Sequence, residues 1–218
     1  MKNQLPLFIV AALFGLLFHS CKKDTETVFP IKFYPERVEV KSNTRMFDTA
    51  GEVNNATEIS SALNGVPFFS LEKEPFNKNE LALTFTSPDS MVLGSSGLKF
   101  YIKTAGNQFL LYSDEIVHVD TDASKPGNLL FYLLKYTYRG VPSLAWSTAL
   151  SKETMVAYGN YKEIRLSAMA YHIVKSSGGS TSKISGLTYN EFNPEVVTKL
   201  QNDDLLIVKQ YELVLLSR

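Results

Sequence analysis

From Phe29 onward the chain is a series of short apolar runs broken by clusters of Gly, Pro, Asn, Asp and Ser. That punctuation reads as strands joined by tight turns. No segment of helical period is long enough to carry the chain back across a sheet, so a parallel α/β arrangement fails. Ile31, Phe33, Val38 and Val40 alternate with Lys32, Glu36, Glu39 and Lys41. Pro35 interrupts the alternation, which predicts a bulge or an edge at that point. Leu81–Thr86 and Met91–Leu93 are short strands on either side of Ser87-Pro88-Asp89-Ser90. Lys99–Lys103 and Gln108–Tyr112 flank Ala105-Gly106-Asn107, the clearest hairpin. Glu115–Val119 is a short strand ended by Lys125-Pro126-Gly127, and Leu129–Arg139 a longer one with Tyr132, Tyr136 and Tyr138 on one face. Glu163–Val174 turns at Ser176–Ser180 and returns as Lys183–Phe192; Leu205–Leu216 closes the chain.

Roughly nine or ten strands at this spacing predict an all-β, antiparallel meander, folded as a barrel or a sandwich. Two short helices interrupt it. Asn55 with Glu58 forms a capping box for a helix to about Leu63. Asn193-Pro194-Glu195 starts another, ending near Gln201. The architecture resembles a lipocalin barrel, although no lipocalin motif precedes it. Residues 29–218 form one domain, with residues 21–28 as a polar tether.

Charge removes one class of partner. Lys+Arg and Asp+Glu both number 22, so the chain has no electrostatic footprint for nucleic acid. A single cysteine excludes an intramolecular disulfide and any zinc site built from several thiolates. No cofactor is expected.

That cysteine sits at a boundary. Leu5–Phe18 carries no charge, too short a run to span a bilayer and the right length for an export signal. It ends at His19-Ser20-Cys21, followed by Lys22-Lys23-Asp24. Leu17-Phe18-His19-Ser20-Cys21 resembles the lipobox of bacterial lipoproteins, in the looser form used by the Bacteroidota. Phe18 and His19 depart from the usual Leu and Ala or Ser. The resemblance implies removal of residues 1–20 and a covalent lipid on Cys21, which anchors the protein to a membrane. Lys22 stands where an inner-membrane retention signal has Asp, so the outer membrane is implied, on its periplasmic face or at the cell surface.

The catalytic search returns little. G-x-S-x-G, Walker A, G-x-G-x-x-G and H-E-x-x-H are all missing. His172 shares strand parity with Ile164, Leu166, Ala168, Ala170 and Val174, and so belongs to an apolar face. It reads as a core histidine bonded to a backbone carbonyl, or as a ligand-facing group. His118, Asp120 and Asp122 fall on one face of an extended segment, and with Asp114 or Glu115 would suit a hard cation. The same residues also read as a polar strand end entering a solvated loop. Tyr132, Tyr136, Tyr138 and Trp146 are candidates for lining a ligand mouth or stacking on sugars, against the alternative that tyrosine simply fills strands. The expected function is a non-catalytic envelope lipoprotein that binds a small apolar or sugar ligand or an envelope protein. The alternatives are an envelope hydrolase and a structural accessory subunit.

Overall fold

The computed structural model describes residues 27–66, 68–94, 96–120, 126–142, 148–177 and 180–218, with backbone alone at 117–120, 126–127, 139–142, 148–150 and 177. The strands are β1 (Ile31–Val40), β2 (Arg45–Asp48), β3 (Gly51–Val53), β4 (Leu83–Ser87), β5 (Ser90–Leu93) and β6 (Leu98–Ala105). They continue as β7 (Gln108–Asp120), β8 (Tyr138–Pro142), β9 (Thr148–Gly159), β10 (Glu163–Ser177), β11 (Ser180–Thr188) and β12 (Leu205–Ser217). Helices α1 (Ala56–Leu63) and α2 (Pro126–Leu133) and two 3-10 helices, Leu71–Lys73 and Pro194–Lys199, lie between them.

Eight strands close an antiparallel barrel in the order β1-β4-β5-β6-β7-β9-β10-β12. The fold is therefore all-β and lipocalin-like in architecture, a closed barrel rather than a sandwich. Closure is uneven. β12 pairs with β10 continuously from Glu163↔Leu216 to Val174↔Leu205. By contrast β1 meets β4 only at Ile31–Phe33, and β9 meets β10 only at Ile164–Leu166. Two short seams thus join a three-strand wall to a five-strand wall.

β10 and β12 are longer than the barrel. Beyond it β10 picks up β11, and β12 picks up β2 and then β3, which makes a second sheet continuous with the first. Alternation assigns the two faces. Ile164 and Leu166 point into the barrel with Phe33, Phe85, Phe100, Phe109 and Leu215. Met169, Tyr171 and Ile173 point outward and pack beneath α2 and the second 3-10 helix, with Leu129, Leu133 and Val196. Phe29 and Tyr161 stack edge to face at 5.4 Å, and Tyr161 meets Phe85 at 5.7 Å and Phe109 at 6.1 Å. These rings plug the barrel at the end where β1 begins.

Several sequence expectations hold. The Gly106-Asn107 hairpin, the antiparallel return of β11 onto β10, the bulge between Pro35 and Arg37 and the Asn55 cap are all present. Asn193 caps a 3-10 helix. The strand expected at Leu129–Arg139 is overturned, because α2 occupies Pro126–Leu133 and β8 begins at Tyr138. The run is apolar on both parities, a pattern that a buried helix satisfies as well as a strand. Pro126 serves as a first-turn helix residue rather than a break. Leu129 and Leu133, four apart, are both fully buried, each stabilising the fold by about 1.5–3 kcal/mol. Tyr132, Tyr136 and Tyr138 consequently share no strand face.

Candidate functional site

The β1–β4 seam opens into a cavity. The last bond across it is Ala82 N–H to Phe33 O, 3.0 Å. Beyond that point β1 bulges at Pro35, which has no N–H to donate, and swings away from β4. The gap continues into a half-open cavity of about 460 Å³ that reaches the barrel interior at Leu83, Leu166 and Leu215. Val38 and Leu213 form one flank, and Leu81, Ala82 and Leu93 the other. Gly94, at φ +37°, passes so close to the Leu81 and Ala82 carbonyls that a Cβ there would sit 3.0 and 3.1 Å away.

A strap formed by residues 68–82 covers the opening with Leu71, Pro75 and Phe76. It is held at three points. Tyr211, buried, donates its hydroxyl to Phe69 O at 3.3 Å. Lys209 pairs with Glu72, and Lys78 with Glu36 at 2.7 Å. Phe76 both lines the cavity and is 38% exposed, so an apolar ring stands at the rim. The mouth lies at the opposite end of β1 from the aromatic plug.

The sequence-selected residues lie elsewhere. Cys21, Asp122 and Trp146 are outside the described residues. His118 and Asp120 occupy the far end of β7, where only the backbone is described. Among the described residues no group of three or more His, Cys, Asp or Glu side chains is placed to hold a metal ion. Tyr132 is on α2, its ring under Lys199 at 5.7 Å. Tyr138 is on the outer wall, 5.6 Å from Tyr112, with Lys152 between it and Tyr101 at 5.5 and 5.4 Å. Tyr101 and Tyr112 alternate with the inward Phe100, Ile102, Phe109 and Leu111, which fixes this tyrosine–lysine network outside the barrel.

Tyr136 adjoins Tyr158 on the same wall. Hydrogen bonding with Tyr158 holds the Tyr136 hydroxyl below the usual phenol value. Burial, reinforced by its 2.6 Å bond to Glu191 Oε1, pushes Tyr158 up. Asn190, buried, ties this wall together by donating to Tyr136 O at 2.8 Å and Thr154 O at 2.9 Å.

His172 is buried on the apolar face that its parity assigned to it. Its partner is a hydroxyl rather than a carbonyl: Nδ1 and Ser185 Oγ share a 2.6 Å hydrogen bond, and Nε2 has no partner among the described residues. Burial, with a smaller contribution from the Lys183 charge, holds its pKa below the ordinary 6.5. The unfolded chain therefore takes up a proton that the folded chain refuses. Stability is expected to decline as pH falls through about 6.5, and His172→Gln to flatten that decline. Thermal melting across this range checks it, and an unchanged slope in the variant would assign the acid loss to other groups.

The cavity was not legible in sequence because its walls come from residues as distant as Pro35, Leu71, Leu93, Leu166 and Leu213. The one local signal was Pro35, whose break in the alternation marks the start of the open seam. No family model, no curated protein and no solved structure matches this chain.

Proposed function

We propose that this chain is a non-catalytic lipoprotein of the bacterial outer membrane, anchored through Cys21, that holds a small apolar ligand in the mouth of its barrel. The cavity at the β1–β4 seam carries the reading. Its volume falls in the range of small-molecule sites, and its wall is mostly aliphatic with a few polar groups at the rim. Elsewhere the barrel is filled by side chains such as Phe33, Phe85 and Phe100, so the space at the seam is a local feature. The mouth also lies away from the plugged end, which leaves it open to solvent when the tether holds the other end at a membrane.

The chain from Asp24 onward carries every described strand and helix and is the form to test. N-phenyl-1-naphthylamine, a neutral apolar dye that brightens in a dry site, is expected to bind it with micromolar affinity. Leu213→Trp should fill the cavity and weaken dye binding by about tenfold or more, with the melting temperature kept or raised. Absence of dye binding by the unsubstituted chain, or equal binding by the variant, would overturn the assignment.

A further inference from the structure

We propose that the barrel mouth selects amphiphiles with a cationic head, primary alkylamines in chemical class, over those with an anionic head. This rests on the cavity being the ligand site. The charged side chains on its lining are two carboxylates, Glu74 and Glu80, with no cation among the described residues that line it. Both are exposed at the two ends of the strap stretch that crosses the opening, and neither is in a salt bridge among the described residues.

The cations around the mouth are committed elsewhere. Lys78, between the two glutamates in sequence, is turned onto Glu36 at 2.7 Å. Arg37 pairs with Glu39 at 2.8 Å, Lys41 with Glu212 at 3.0 Å, and Lys209 with Glu72. Lys73 precedes Glu74 but does not line the cavity. An apolar tail against Leu83, Leu166 and Leu215 would therefore place its head between Glu74 and Glu80, with Asn77 and Ser96 as neutral hydrogen-bonding neighbours. An ammonium there is attracted by both carboxylates. A carboxylate meets like charge with no counter-ion on the lining.

The test separates tail from head. Dodecylamine, dodecanol and dodecanoate, each below its micellar concentration, compete with N-phenyl-1-naphthylamine for the chain from Asp24 onward. Dodecylamine is expected to displace the dye at about tenfold lower concentration than dodecanoate, the order of effect that attraction of one head and repulsion of the other by exposed carboxylates supplies. Dodecanol should fall between them. In Glu74→Gln/Glu80→Gln the three competitors should converge, while the affinity for the neutral dye stays unchanged. Equal displacement by all three, or preference for dodecanoate, would overturn the head-group selection while dye binding itself upheld the cavity. A preference for dodecylamine that survives the double substitution would also overturn it, by removing the glutamates from its cause. Failure of the dye to bind would instead reject the cavity as a ligand site, and the selection with it.

Discussion

Asp204→Ala is expected to lower the folding free energy by about 3–5 kcal/mol, read as a fall in the urea midpoint. Lys175 and Asp204 are both almost fully buried and meet at 2.5 Å, Lys175 lying on the face of β10 that carries Met169, Tyr171 and Ile173. The carboxylate has further partners. Its Oδ1 accepts from Ser176 N–H at 3.1 Å, and its Oδ2 from Gln201 N–H at 2.6 Å. Asp203, at φ 65°, makes the turn that drives its neighbour inward, a backbone region that aspartate tolerates better than most residues. Removing the carboxylate leaves an ammonium and two backbone donors in an apolar layer.

The opposite substitution is less severe. In Lys175→Met the carboxylate keeps both backbone donors, and a thioether side chain of similar length fills the lysine's space. Its cost should therefore be clearly smaller than that of Asp204→Ala. Equal costs would mean that the pair acts only as a pair, with the backbone bonds contributing nothing.

How much of this was readable in sequence depended on whether the decisive contacts were local. The β6–β7 hairpin was readable because two neighbouring runs and a Gly-Asn turn specify it without help from the rest of the chain. The Asn55 cap was readable for the same reason: its side chain bonds Thr57 N, Glu58 N and the Glu58 carboxylate, all within one turn. α2 was misread because its five consecutive apolar residues fit either period, and burial under a second sheet decided between them. β9 was missed behind its polar middle, Ser151-Lys152-Glu153-Thr154. The structure buries Ser151 and Thr154 there by turning their hydroxyls onto the Tyr138 and Lys152 carbonyls. Asp204 carried no local sign of its role, because its partner lies 29 positions away. The cavity followed the same logic, since the stretch from Leu71 to Leu83 supplies half of its wall and distant strands the rest.

Gly159→Ala is expected to cost about 3–5 kcal/mol, and Gly106→Ala only about 1 kcal/mol, although both glycines have positive φ. The difference is space and position. A Cβ at Gly106 (φ +62°) meets nothing within 4 Å, so the substitution pays only for backbone conformation in an exposed turn. A Cβ at Gly159 (φ +133°) would lie 2.2 Å from Glu163 O and 3.1 Å from the Ile164 Cα, backbone that cannot rotate aside. That backbone belongs to the β9–β10 seam, of which Ile164↔Gly159 is one of only three pairs. The other seam, β1–β4, is equally short and opens at Pro35, so loss of the β9–β10 pairs would leave the two walls joined by three pairs alone. In Gly159→Ala, amides of Ala157–Gly159 and Ile164–Leu166 should lose hydrogen-exchange protection, while those pairing β10 with β12 keep theirs. Equal costs at the two glycines would show that positive φ alone sets the penalty. Uniform loss of protection across β10 and β12 would show that the barrel opens as one unit rather than along this seam.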